Sequence, residues 1–202
     1  LDSDWSTLVG GAGELMSYRR SLFSFLPDDT ILDDFMLTMR IAEDGYKVKY
    51  VPEARASEYA SANVAEEMKR KIRIAAGGWQ SISRLKKAIN PIHNFNLFFQ
   101  YVSHRVLRWT LTPFALVLIF ILNHYLAFTS DALIYKVILL GQYIFYALAL
   151  AGHLLQGRSI AIKGFFVPYY FYVMNYCAII GFQRFIKKSQ AATWERAKRA
   201  NE

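Results

Sequence analysis

Residues 109–128 read WTLTPFALVLIFILNHYLAF and contain no Asp, Glu, Lys or Arg. Twenty helical residues rise about 30 Å, the thickness of a bilayer's hydrocarbon core. A second stretch, 133–155, is of similar length and carries Lys136 as its single charge. A third, 164–182, is uncharged and rich in aromatic residues. A buried soluble bundle is the competing reading, but three such segments in succession are unusual for a soluble chain of 202 residues. The pattern predicts a membrane region over 109–186.

Just upstream, Phe95, Phe98, Val102, Val106 and Trp109 recur at helical spacing, while His104, Arg105 and Arg108 lie off that stripe. This predicts a helix over 93–108 lying in the membrane interface, its arginines near lipid phosphates. The flanking charges are only partly consistent. Arg105 and Arg108 before the first stretch, and Arg158 and Lys163 after the second, place both flanks on the cytoplasmic side, with Asp131 on the far side. If the third stretch also crosses, Arg184, Lys187, Lys188, Arg196, Lys198 and Arg199 end outside, against the same rule.

Charge is divided along the chain. Residues 1–67 hold 13 acids and 6 bases, net −7, whereas 68–202 hold 3 acids and 18 bases, net +15. The overall +8 calls for an acidic partner. Membrane lipid and phosphate groups are the expected ones, and nucleic acid is not. The apolar content of 54% excludes a disordered chain, and the single cysteine, Cys177, excludes a disulfide scaffold or a Cys-based zinc site. The chain starts at Leu1 without Met, which reads as the C-terminal part of a longer protein.

Residues 1–92 read as alternating α and β structure. Asp33 would cap a helix through Asp44 that buries Phe35, Met39 and Ala42 and stops at Gly45. Residues 46–51 alternate (Tyr46, Val48 and Tyr50 against Lys47 and Lys49) and end at Pro52, as a half-buried strand would. Asn63 with Glu66 opens a longer helix, with an apolar line Val64, Met68, Ile72, Ala75, Trp79, that Asn90-Pro91 ends. Gly77-Gly78 within it points to a close approach of backbone.

Two charged groups offer chemistry. Asp28-Asp29 and Asp33-Asp34 flank a helix start, where a carboxylate stays ionised and can accept a proton or a metal. Arg70 and Arg73 share a helix face, spaced to grip a diphosphate. His93, His104, His124 and His153 show no metal-ligand spacing and read as structural. Asp2-Ser3-Asp4 spells a metal-binding pattern but follows no strand and sits close to Asp34, and reads as chance.

In order, Gly11-Ala12-Gly13, Tyr18-Arg19-Arg20, Leu32-Asp33-Asp34-Phe35, Gly45-Tyr46-Lys47-Val48, Pro52-Glu53-Ala54, Arg70 to Arg73 and Ser103 to Trp109, followed by three apolar stretches, resemble the C-terminal part of a membrane-integrated family-two glycosyltransferase. The likeness is to the cellulose-synthase-like, polysaccharide-forming branch. It implies an α/β nucleotide-sugar domain on the cytoplasmic face, an interfacial helix and a helical membrane bundle, in the bacterial inner membrane. The implied activity is an inverting transfer of a sugar from a nucleotide-sugar donor to a growing glycan or lipid-linked acceptor. By the same resemblance Asp34 is the base, Asp33 its neighbour in the motif, Gly11, Gly13, Arg19 and Arg20 line the acceptor side, and Arg70 and Arg73 face the leaving diphosphate. A magnesium or manganese ion is implied, with ligands expected outside this chain, so that the 202 residues alone are expected to be inactive. Arg70 and Ile74 stand where that branch has the Gln and Trp of Q-x-x-R-W. The alternatives are a non-enzymatic membrane anchor and a prenyl-diphosphate-type transferase using the Asp pairs, with residues 187–202 a basic tail.

Overall fold

The structure, a computed structural model, describes residues 5–11, 13–58, 63–155 and 163–193. The Asp2-Ser3-Asp4 pattern, Arg158 and the tail cations Arg196, Lys198 and Arg199 lie outside them. Among the described residues the main helices are α1 (Asp33–Glu43), α2 (Val64–Arg84), α3 (residues 95–109), α4 (Leu111–Thr129), α5 (Leu133–Leu154) and α6 (Lys163–Ile186). Within α3, Phe95–Tyr101 is α-helical, Val102–Val106 forms a widened π turn, and Leu107–Trp109 resumes the α-helix.

The expected α/β architecture is not formed: the described residues contain no strand. Residues 46–51 remain irregular because no other described residue continues a ladder beside them. Leu8 N–H donates to the Val48 carbonyl at 2.8 Å, but the return donor, Val48 N–H, goes to the Thr7 hydroxyl at 2.9 Å. Tyr46 and Tyr50 stay exposed. Alternating sequence without a paired neighbour is no strand.

The helices near α1 follow local chemistry more closely. Leu32, not Asp33, occupies the N-cap of α1 and makes no side-chain cap; Asp33 and Asp34 sit in the first turn, where the helix dipole favours their charge. Gly45 closes α1 with φ of 89°, and the next amide, of Tyr46, returns to the Ile41 carbonyl. Burial extends beyond one face: Met36, Leu37 and Ile41 join Phe35, Met39 and Ala42. Asn63 does cap α2, its Oδ1 accepting Glu66 N–H at 2.9 Å. The helix ends at Arg84 rather than Asn90, because Leu85 and Ala88 turn into the core and Glu43 Oε1 accepts Ala88 N–H at 2.7 Å.

Three glycines admit close packing of α2. A Cβ on Gly77 would press on Leu32 and Ile31, and one on Gly78 would enter the Trp109 ring. Gly181 of α6 faces Ala75 Cβ, with Ala76 N and Ile72 O each 2.9 Å from where its Cβ would stand. Main-chain atoms cannot step aside as side chains do. Gly181→Ala is therefore expected to lower stability by about 1–3 kcal/mol, whereas Gly141→Ala, with nothing within 4 Å, should be neutral or mildly stabilising. Thermal unfolding in detergent compares the two. Equal melting temperatures would mean that α2 and α6 are not in this contact.

α4, α5 and α6 are each long and apolar enough to cross a membrane. α4 and α5 form an antiparallel hairpin, held inside by Asn123, whose Nδ2 donates to Gln142 Oε1 at 3.1 Å and the Tyr135 carbonyl at 3.3 Å. Their outward faces are apolar, with Ile119, Ile121, Val137 and Leu140 all more than half exposed.

Candidate active site

The start of α1 opens into a cavity of about 790 Å³, and α2 forms its opposite wall. Gly13, Asp33, Asp34, Arg70 and Arg73 all line it. Among the residues singled out in the sequence, these five come together. Gly11 stands just behind: its N–H donates to Thr38 Oγ1 at 2.9 Å, tying the glycine loop to α1 one turn beyond Asp34. Arg19 and Arg20 are exposed and do not line this cavity; Arg19 borders a separate space of about 520 Å³ with Lys47 and Lys49.

The two aspartates differ in surroundings. Asp33 is exposed, whereas Asp34 is half-buried. Asp34 Oδ1 accepts Phe35 N–H at 2.7 Å, and Oδ2 accepts Gly13 N–H at 3.0 Å. Burial pushes the Asp34 carboxyl above its ordinary pKa, and the Asp33 charge adds to this, against the opposing pull of the Phe35 and Gly13 amides. A glycine eases this approach: a Cβ on Gly13 would stand 3.1 Å from Asp34 Oδ2, tight enough to make the carboxylate shift.

Arg73 reaches across from α2. Its Nη2 donates to the Ile31 carbonyl at 2.7 Å, while its Nε is buried with no hydrogen-bond partner among the described residues. Burial lowers its pKa, Asp33 and Asp34 pull it back up, and a guanidinium remains charged at any physiological pH. Arg70 is more exposed and lies 3.7 Å from Glu14, the residue after Gly13. Of the remaining aspartate pair, Asp29 has a structural task. Asp29 Oδ2 pairs with Arg84 at 2.6 Å, and the Asp29 carbonyl accepts Gln80 Nε2 at 2.8 Å, pinning the turn before α1 onto α2.

Two contributors escaped the sequence reading. Thr38 has a detectable signal, a hydroxyl one helical turn after Asp34. Arg105 was expected near lipid phosphates. Instead its Nε and Nη2 donate to the Val9 carbonyl at 3.3 and 3.2 Å, and it lies 5.8 Å from the centre of the Phe35 ring. It thereby links α3 to the chain entering the glycine loop, a contact 96 residues apart that no local pattern announces.

Among the described residues no group of three His, Cys, Asp or Glu side chains is placed to hold a metal ion. The described residues thus supply no ligand set for the divalent cation that the resemblance implies. The arrangement offers a carboxylate with raised proton affinity facing two cations across a solvent-filled space. A family profile described as glycosyl transferase family group 2 matches residues 6–179. Comparison with curated proteins and with solved structures gave no match.

Proposed function

Because the chain belongs to glycosyl transferase family group 2, we propose that it activates the acceptor in an inverting transfer from a nucleotide-sugar to a growing glycan or lipid-linked acceptor at a membrane. The observation that carries this reading is the half-buried Asp34 lining one cavity with Arg70 and Arg73. Asp34 takes the proton of the acceptor hydroxyl as that oxygen bonds to the anomeric carbon. The bond from that carbon to the diphosphate oxygen breaks in the same step, and Arg73 and Arg70 stabilise the charge that collects there. A carboxylate of raised pKa is a stronger base than an ordinary one. The polysaccharide-forming branch, the inner membrane and a cytoplasmic cavity belong to the same proposal.

Membranes carrying the protein, given radiolabelled nucleotide sugars and acceptor, test the reading directly. Transfer that disappears with Asp34→Asn supports it. Absence of transfer from every common nucleotide sugar, with transfer from labelled prenyl diphosphate instead, would overturn it.

Membrane integration is supported by the apolar outward faces of α4 and α5, which a soluble bundle would turn inward. The protein should stay in the membrane pellet through alkaline carbonate and high-salt washes. Its release into the supernatant would show that these helices are only a soluble core.

A further inference from the structure

The hairpin gives a ruler for height. Phe120 of α4 meets Tyr146 of α5 with ring centres 5.0 Å apart, and His124 meets Tyr143 at 5.2 Å. Each step forward along α4 is thus matched by a step back along α5, and Phe114 stands level with Gly152. α6 touches both of these residues. A Cβ on Gly152 would lie 2.5 Å from the Phe165 carbonyl oxygen and 2.7 Å from Tyr169 Cβ, and Tyr169 also meets His153 at 5.6 Å. Near its other end, Phe182 packs edge-on against Phe114 at 5.3 Å.

Between residues 165 and 182 a helix advances about 25 Å, yet both ends sit at one height on the hairpin. The deeper ring contacts, Phe171 with Phe145 at 5.8 Å and Tyr172 with Tyr146 at 6.4 Å, lie only two turns in from Gly152. α6 therefore runs across the base of the hairpin and not along it.

Its companion supplies an independent argument. α2 lies beside α6 in the same direction: Met68 is next to Cys177, Ala75 to Gly181, and Trp79 to Phe182 and Phe185. Along that stretch α2 carries Lys69, Arg70, Lys71 and Arg73, two of which line the cavity. Ionised side chains are excluded from the bilayer centre at a cost of several kcal/mol. A helix packed along them is held at their level.

The chain beyond α6 then turns back. Lys188 adopts a left-handed φ of 49°, Ser189 N–H returns to the Arg184 carbonyl at 3.0 Å, and Ala192 lines the cavity that holds Asp34. On the outward side of α6, Phe166, Val167, Tyr170 and Tyr176 are exposed. Tyrosine-rich apolar faces of this kind settle at the headgroup boundary.

We infer that α6 does not cross the bilayer: it lies in the headgroup boundary of the leaflet on the catalytic side, its Tyr/Phe face seated on lipid, and the chain after it stays on that side and walls the cavity. Two crossings, not three, remove the conflict in flanking charge. The inference rests on the membrane reading above, and carbonate washing tests that reading separately.

In the full protein, with buried Cys177 replaced by Ala, single cysteines at Lys86, Asp131 and Ala191 report sidedness through a membrane-impermeant maleimide in sealed vesicles. Lys86→Cys and Ala191→Cys should label from one side and Asp131→Cys from the other. Labelling of Ala191→Cys together with Asp131→Cys would overturn the inference. A protease-sensitive epitope fused after Glu202 of the otherwise unaltered chain gives the same answer without those substitutions: cleavage from the side on which Lys86→Cys labels supports it, and cleavage from the opposite side overturns it. If all three cysteines label from one side in carbonate-washed membranes, the hairpin does not cross either, and both readings fail.

Discussion

Asp34→Asn lowers turnover by about two to four orders of magnitude and leaves the protein folded. The amide retains an oxygen for the Gly13 or Phe35 amide, which Asp34 now serves at 3.0 and 2.7 Å, but it cannot take a proton from a hydroxyl. Stability should move the other way from activity. The fold raises the Asp34 pKa by burial, so it favours the protonated form. That favourable contribution is complete below the unfolded-state pKa and is lost as pH rises through the raised folded value. At neutral pH the ionised carboxylate is therefore a burden, and Asp34→Asn should melt no lower than the wild type. The same shift places the acid limb of the kcat/KM profile above that of an ordinary aspartate. Asp33→Asn, which alters an exposed first-turn charge worth about 0.3–1 kcal/mol, should leave most of the turnover intact. A dead Asp33→Asn beside an active Asp34→Asn would reverse the assignment of the base.

Arg73→Ala should cost about two to three orders of magnitude in kcat, the usual loss when a donor to developing negative charge is removed. The side chain is held in place before any substrate arrives, by the bond from Nη2 to the Ile31 carbonyl. Its charge, at the wall of the cavity that Asp34 also lines, is suited to an incoming anion. Arg73→Lys keeps the charge but not the fork, and should recover only part of the loss. The effect should fall mainly on kcat, with KM for the donor changed less, if the cation acts on the leaving diphosphate. A loss confined to KM would make Arg73 a substrate-binding residue only. Because the Ile31 carbonyl also loses its partner, melting temperature has to be compared alongside.

The features legible in the sequence were those set by neighbours a few residues away. Asn63 caps α2, Gly45 ends α1, and the uncharged stretches form long helices, each through local hydrogen bonding or simple length. What local pattern could not settle depends on distant partners. Residues 46–51 have the alternation of a strand, but a strand exists only through its ladder, and Val48 finds a threonine hydroxyl where the next backbone bond would be. The third apolar stretch looks like the other two in composition. Its path is set by Gly181 fitting against Ala75, over a hundred residues earlier in the chain. At the candidate site, Gly13, Asp33, Asp34, Arg70 and Arg73 are polar or small residues in an ordered series of motifs, and the fold gathers them at one cavity. Arg19 and Arg20 belong to the same series but point elsewhere, and Arg105 joins the loop through a single long-range contact.

The widened turn at Val102–Val106 sets the phase of one continuous rod. An extra residue in a single turn rotates everything after it by about 100°. Ahead of the splice, Leu97 and Tyr101 face the core; beyond it, Trp109 meets the notch at Gly78, directly before the hairpin begins. Arg105 sits on the splice itself and grips the Val9 carbonyl, four residues from the glycine that touches Asp34. One short element thus fastens both the entry to the hairpin, through Trp109, and the chain leading into the glycine loop, through Arg105.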